Sequence, residues 1–460
     1  MIRFLRYASL LLMLLLTLQE VQAQPNQYKD MHRVKQGETI YGIARAYGIS
    51  VDVLKRANPK MNNPDYVLSI DEYVFIPDTP NTSANTNTNT NTSTGSTIQP
   101  GLDKGVRGKQ VNIAVMLPLH NVDGDGKRMV EYYRGILMAC HQLKQEGVSI
   151  NIHAWNVPAD ADIRQILLEN SASQVDYIFG PLYSKQLKHL AGFAKSYGIK
   201  VVVPFSISSN EVNSNSHVFQ IYQDPNKQNE KSVNAFLERF PHHHPVFIDC
   251  NDSTINRKGS FTMALRKQLD KKKTIYNITN LRSAESDFSK AFSRTMPNVV
   301  VLNTSRSPEL GAAIQKLELL TQNHPELKIS LFGYTEWLMY TRPYAEKFHK
   351  YDTYIPTTSY HNVFSAETKD FETKYIKQFG EPMMYALPRF AITGYDHANY
   401  FIRGLLLYGK DFSGAKTDTP YIPLQTPLYF RKVSKNGGLQ NESFMLIHYT
   451  PQKNIESISY

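Results

Sequence analysis

The chain has 460 residues, a formal net charge of +10 and 41% hydrophobic residues. That length allows about three domains of roughly 150 residues each, and the composition supports a sizeable core without a disulfide framework. Cys140 and Cys250 both lie in apolar runs, so buried thiols are expected in preference to a disulfide. The basic residues are scattered. The one notable run, Lys271-Lys272-Lys273, reads as a solvated helix end, so no nucleic-acid partner is expected.

The first residues read as an export signal. Arg3 and Arg6 precede the apolar run Leu10 to Leu18, and Val21-Gln22-Ala23 has the small-residue pattern of a cleavage site. The run is shorter than the ~20 residues a membrane span needs. A cleaved signal over 1–23 is therefore expected. No lipid-bearing cysteine follows it, and no transmembrane segment is expected in the mature chain. A basic exported protein is more suited to anionic envelope polymer than to DNA.

Residues 31–77 read as a small β-α-α-β module. Val34 belongs to a short strand, and Gly37-Glu38-Thr39 makes a turn. Thr39 can cap a helix carrying Ile40, Ile43, Ala44 and Tyr47, which Gly48 stops. Ser50 caps the next helix, with Val53, Leu54 and Ala57 on its face; Asn58-Pro59 ends it, and Tyr73 to Ile76 returns as a strand.

This module resembles a LysM domain, a binder of N-acetylglucosamine polymers such as peptidoglycan and chitin. The residues that carry the resemblance are Val34 to Ala44, Tyr47 to Ser50, Leu54 to Pro59 and Ile76-Pro77. It departs at Glu38, where Asp is usual, and around Ile70-Asp71, where Gly is usual. The resemblance implies a glycan groove between Gly37, Glu38, Thr39 and Ile40 on one side and Asn58, Pro59, Lys60 and Met61 on the other. Backbone groups at those turns would hydrogen-bond the N-acetyl group.

Residues 78–108 alternate Asn and Thr, then add Gly and Ser. Nothing there is apolar enough to bury, so a disordered linker is expected. From Val111 onward, short apolar runs alternate with helical patterns. Strands are expected at Val111–Leu119, Val148–Trp155, Val175–Phe179, Ile199–Val203 and Val218–Tyr222. A turn is expected at Asp123-Gly124-Asp125-Gly126, and helices at Val130–Leu143 and Ile163–Leu168. The stretch from Val175 to Ser209 is a parallel β-α-β unit whose two strand ends, Gly180-Pro181 and Pro204-Phe205-Ser206, share one sheet edge. Ligands sit at that edge in open α/β sheets, and Ser184 is expected to cap the intervening helix.

After Asn226 the rhythm restarts. Strands are expected at Pro245–Asp249, Thr274–Ile278, Val299–Leu302 and Ile329–Phe332. Helices are expected at Ser260–Leu269, Phe288–Phe292, Leu310–Leu320, Phe371–Phe379 and Arg389–Tyr408. Leu428–Val433 and Phe444–Tyr449 read as a hairpin around Lys435-Asn436-Gly437-Gly438. The fold class is therefore α/β, with two Rossmann-like lobes: one over about 109–225 plus late returning segments, the other over about 226–380.

Residues 109–460 resemble type 1 periplasmic binding proteins of the leucine/isoleucine/valine-binding branch. The resemblance is carried by Ile113–Leu119, Tyr132–Gly135, Phe179–Ser184, Tyr197–Pro204, Gly333–Trp337 and Gly394–Asp396. It implies a small, amino-acid-like ligand held by hydroxyl and N–H groups at the first-lobe strand ends. Ser184 matches the hydroxyl-bearing position. The second turn has Ile207 where Thr is usual, flanked by Ser206 and Ser208. Tyr222, Tyr334 and Glu336 are candidates for the facing lobe and hinge, since an acidic group can hold an ammonium and an aromatic can cover it.

No G-x-S-x-G elbow, phosphate loop or H-E-x-x-H spacing is present, and His242-His243-His244 are adjacent residues that cannot all face one metal. No enzyme, cofactor or metal is expected. Two functions fit: a wall-anchored solute receptor with an interlobe ligand, or a ligand-free domain that regulates cell-wall synthesis through an envelope protein.

Overall fold

A computed structural model of the chain describes residues 28–34, 38–47, 49–58, 61, 66–69, 72–77, 109–205, 209–252, 258–416, 418 and 420–460. The expected signal at 1–23 and linker at 78–108 lie outside the described residues. The chain divides into two compact units, Met1–Asn89 and Thr90–Tyr460.

In the small unit, β1 (Tyr28–Arg33), α1 (Ile40–Ala46), α2 (Val51–Ala57) and β2 (Tyr73–Pro77) follow the expected order. β1 and β2 pair antiparallel, with Met31 opposite Phe75. Thr39 Oγ1 accepts the Gly42 N–H at 3.0 Å and Ser50 Oγ accepts the Val53 N–H at 3.2 Å. Each hydroxyl satisfies an N–H that the helix itself leaves open. Val34, Ile43, Ala44, Leu54, Met61, Val74 and Ile76 form the core. Val34 lies just past β1 rather than in it, and Gly48 is outside the described residues.

The large unit has two lobes. The first begins with β3 (Gln110–Leu117), α3 (Gly124–Gln145), β4 (Ser149–Asn156), α4 (Ile163–Ile166), β5 (Tyr177–Phe179), α5 (Ser184–Tyr197), β6 (Lys200–Val203), α6 (Glu211–Ser214) and β7 (Val218–Gln220). The chain then crosses to α7 (Pro225–Arg239), β8 (His244–Asp249), α8 (Lys258–Lys271), β9 (Asn277–Asn280), α9 (Glu285–Lys290), β10 (Asn298–Leu302), α10 (Ser307–Asn323), β11 (Ile329–Phe332), α11 (Thr341–Lys350) and β12 (Thr353–Thr357). It returns with α12 (Ala366–Phe379), α13 (Phe390–Tyr408), β13 (Phe430–Lys432) and β14 (Leu439–Asn441), and crosses a third time to β15 (Met445–Tyr449) and β16 (Ile455–Ser459).

The first sheet has the order β13-β14-β7-β6-β5-β3-β4 and the second β16-β15-β12-β11-β10-β8-β9. From β4 to β14 the first sheet is parallel, and from β9 to β12 so is the second. Its central strands are buried along their length, as in Val299–Leu302, because helices cover both faces of a parallel sheet. α12 packs through Phe371 and Tyr375 with Met138 and Ala391, which places it on the first lobe.

Several local expectations are corrected. α3 starts at Gly124, not Val130, because Asp123 caps it: Oδ1 accepts the Gly126 N–H at 2.7 Å. Gly124 to Gly126 are thus helix rather than turn. β7 ends at Gln220, which leaves Tyr222 in a crossing segment. α4 stops at Ile166 and a 3-10 turn, Asn170–Gln174, follows. β9 lies at Asn277–Asn280 and α9 at Glu285–Lys290. The C-terminal hairpin is also different. Phe430 pairs with Asn441 and Lys432 with Leu439, so β14 closes the turn, while β15 joins β12 in the other sheet. Among the described residues, no helix is long and apolar enough to cross a membrane.

Candidate functional site

All three crossings leave the carboxyl ends of strands that lie parallel in their sheets: β7, β12 and β14. The carboxyl edges of the two sheets therefore face one another, and that is the edge where α/β sheets bind ligands. The first and third crossings are tied together. Gln223 Nε2 donates to Ser443 O at 2.6 Å, and Gln440 Nε2 to Tyr222 O at 3.0 Å. Lys231 Nζ, from α7, donates to Gln223 Oε1 at 3.1 Å, Glu442 O at 2.9 Å and Glu442 Oε2 at 2.7 Å.

On the first lobe, Ser184 is the first residue of α5; Tyr183 occupies the cap position and makes no side-chain cap hydrogen bond. The expectation that Ser184 caps the helix is corrected, since its backbone is already helical. Tyr183 Oη donates to Asp125 Oδ2 at 3.2 Å, and Asp125 also pairs with Arg128. Burial, with Asp125 beside it, pushes the Tyr183 phenol up to about 12. Phe205 packs edge-on against Tyr132 at 5.3 Å and Phe390 at 5.7 Å. Ser206 and Ser208 lie outside the described residues.

On the second lobe, Tyr334 is 4% exposed and its hydroxyl donates to Leu302 O. It is held as a packing residue between Phe261 and Trp337. Glu336 lies in the first turn of the 3-10 segment Thr335–Tyr340. Tyr222 is 40% exposed in the first crossing. A cavity of about 60 Å³ beside Tyr334 is lined by Gln228, Ser232, Thr335 and Thr357, among others. The structure thus brings Tyr334 and Glu336 to one strand end, Tyr222 to the hinge and Ser184 to the opposite lobe.

Reading the sequence missed a polar group at the second-lobe strand ends. The Asp252 side chain is fully buried; its Oδ1 meets Arg306 Nη1 at 3.1 Å and its Oδ2 accepts from Thr304 Oγ1 at 2.8 Å. Arg306 Nε lies 3.5 Å from Glu309 Oε2. Applying the strand-end rule to Pro245–Asp249, as it was applied to Gly180, would have pointed at Asp252. Burial, with Asp249, Glu309 and Asp252 nearby, pushes the Cys250 thiol up to about 12. That thiol stays protonated at neutral pH and is a packing group, not a nucleophile. Both cysteines are buried and free.

In the small unit, Glu38 Oε2 lies 2.8 Å from His32 Nε2, and His32 Nδ1 lies 3.1 Å from Tyr47 Oη. Thr39 is exposed and Ile40 half-buried. Asn58 and Met61 point inward: Asn58 Nδ2 donates to Leu54 O at 2.9 Å, and Met61 is 2% exposed. At those two positions only backbone groups remain for a glycan. Gly37, Pro59 and Lys60 lie outside the described residues.

Two parallel-rich lobes joined by three crossings define a hinged two-lobed architecture of the kind found in binding proteins. Residues 32–77 match the LysM domain family, and this segment is a LysM domain. Solved structures match most of the chain at low identity. A substrate-binding protein of an ABC transporter from Desulfitobacterium hafniense, in complex with Leu, is 14% identical over 76% of this chain and 100% of its own, with a TM-score of 0.39. A branched-chain amino acid ABC transporter protein from Rhodospirillum rubrum is 12% identical over 76% and 100%, with a TM-score of 0.48. Full-length LpoA from Haemophilus influenzae is 15% identical over 77% and 60%, with a TM-score of 0.42. At such scores the two-lobed architecture rests on strand order and crossings, not on the superpositions. No curated protein matches the chain.

Proposed function

We propose that the chain is an exported, non-catalytic binding protein anchored to peptidoglycan in the periplasm. The LysM domain holds N-acetylglucosamine-containing glycan through Glu38, Thr39, Ile40 and the turn at Asn58–Met61. The two-lobed unit closes on a small, amino-acid-like ligand at Ser184, Ser206, Ser208, Tyr222, Tyr334 and Glu336. The observation that carries this reading is the pair of facing sheet edges joined by three crossings, the first and third of which are tied to each other. Such a hinge lets two rigid lobes rotate together around a ligand.

One observation favours a second reading, in which the two-lobed unit contacts an envelope protein and regulates wall synthesis. The second turn of the first lobe carries Ile207 where the resemblance expects a threonine hydroxyl for an amino-acid ligand. Two measurements separate the readings. Co-sedimentation with purified peptidoglycan tests the anchor: the full chain pellets, and failure to pellet removes it. Thermal-shift screening against amino acids and muropeptides tests the cleft. A saturable rise in melting temperature supports ligand closure; silence, with capture of a wall synthase by the same protein, supports the regulator.

A further inference from the structure

The first lobe carries a second cavity on the edge of its sheet away from the cleft. It opens where β5 and β6 begin and has a volume of about 230 Å³. Asp176, Tyr177, Tyr197, Lys200, Leu405 and Lys410 line it. Its position at the amino ends of the strands separates it from Ser184 and from the three crossings, so it stands apart from the ligand site proposed above.

Lys200 is the unusual member. It opens β6 opposite Tyr177, and its side chain is half-buried. A lysine at such a place ordinarily finds a carboxylate or extends its ammonium into water. Among the described residues the Lys200 ammonium has neither a hydrogen bond nor an ion pair. Burial pulls its ammonium below the ordinary lysine range, with Asp411 opposing and Lys432 adding to the shift. Lys410, at the rim, also has no ion pair among the described residues. The carboxylate in the lining, Asp176, is turned to the backbone, where its Oδ2 accepts the Asn112 N–H at 2.9 Å, and it makes no ion pair with either lysine among the described residues. The cavity thus presents two ammonium groups without an ion-pair partner among the described residues, beside Tyr177, Tyr197 and the side chain of Leu405. A cation taken out of water is stabilised by a paired anion.

We propose that this cavity binds a small organic anion, its charged group on Lys200 and Lys410 and its apolar body against Tyr177, Tyr197 and Leu405. A carboxylate and a phosphoryl group would both satisfy the two ammonium groups. The volume suits a compact molecule with one ring, not a polymer. Binding there fixes the outer edge of the first sheet without closing the lobes, so it can accompany either state of the cleft.

The test uses the full chain and three probes: phenylacetate, phenyl phosphate and inorganic phosphate, each against sodium chloride of equal ionic strength. Isothermal titration measures affinity. In parallel, an amine-acylating reagent followed by peptide mapping reads the accessibility of Lys200. The expected result is saturable binding of at least one aryl probe, with Lys200 protected from acylation when it is bound. K200Q should weaken that binding ten-fold or more, K410Q by a smaller factor, and K290Q, at an exposed lysine paired with Asp287, not at all. Preference between the two aryl probes identifies the anionic group; binding of inorganic phosphate alone would remove the apolar contacts from the proposal. No saturable binding above the chloride control, or equal affinity in K200Q, overturns it. K200Q removes a poorly solvated charge and is expected to fold; its melting curve checks this.

Discussion

Asp396 shows how much one buried side chain can organise. It is 0% exposed. Its carboxylate accepts the Tyr421 hydroxyl at 3.0 Å and the backbone N–H groups of Leu424, Gln425 and Thr426 at 2.9, 2.8 and 2.8 Å. One group thereby fixes residues 421–426 against α13. D396N would set an amide donor against those donors, and the expected loss is about 2–3 kcal/mol, read as a lower midpoint in urea. An unchanged midpoint would mean that the segment holds itself. The residue was visible beforehand only as the end of a Gly-Tyr-Asp signature; nothing in the sequence said which N–H groups it would meet.

Burial also sets a pH dependence at this scale. It pulls His361 down to about 4 and His397 down to about 3 from the ordinary imidazole value of 6.5. Each contributes stability that is present above pH 6.5 and lost as pH falls toward the folded value. Asp396 runs the other way. Burial raises it from 3.8 to about 6, so its contribution is present below 3.8 and lost as pH rises through 6. Two histidines against one aspartate leave a net fall in stability from pH 6.5 to pH 5. The melting temperature should drop over that interval, and H361N should drop less. A flat profile, or the same slope in H361N, would contradict this.

At the scale of elements, α3 and α13 meet backbone to backbone. A Cβ at Gly135 would sit 1.9 Å from Ala391 O, and one at Gly394 would sit 1.9 Å from Tyr132 O. Only glycine permits so close a crossing. G394A or G135A should cost about 3 kcal/mol by overpacking; a loss within error, by chemical denaturation, would show that the helices can part freely. These two glycines also explain the family signatures at Tyr132–Gly135 and Gly394–Asp396. They were legible as pattern long before their contact was known.

Other elements were hidden for physical reasons. β12 contains Pro356, which counts against a central strand; it is tolerated because pairing with β11 is at Phe332 and Tyr354, short of the proline. α7 has few apolar residues, and only Ser232, Val233, Ala235 and Phe236 of its length are buried. Its start is fixed by Asp224, whose Oδ1 accepts the Asn226 N–H at 2.7 Å. The hairpin was misread because Met445–Tyr449 is the stronger β sequence, while the three-residue β14 closes the turn and sends the chain onward.

For the whole molecule, the parallel cores were readable because doubly covered strands must be apolar. The hinge was not, because it is built from polar side chains meeting across more than 200 positions of sequence. Lys231 is its fastener: from the second lobe it reaches Gln223 in the first crossing and Glu442 in the third. Both charged partners are mostly buried, at 24% and 21% side-chain exposure. K231M would leave Glu442 half-enclosed without its cation and Gln223 without a donor. Removing one member of an enclosed pair costs about 3 kcal/mol, reduced here by the remaining exposure. Two consequences separate a hinge role from a local one. If the clamp governs lobe rotation, hydrogen exchange should rise at 221–224 and 441–444 together, while the core strand 299–302 keeps its protection. If only the residues beside position 231 exchange faster, the crossings move independently and the lobes do not turn as rigid bodies about a common hinge.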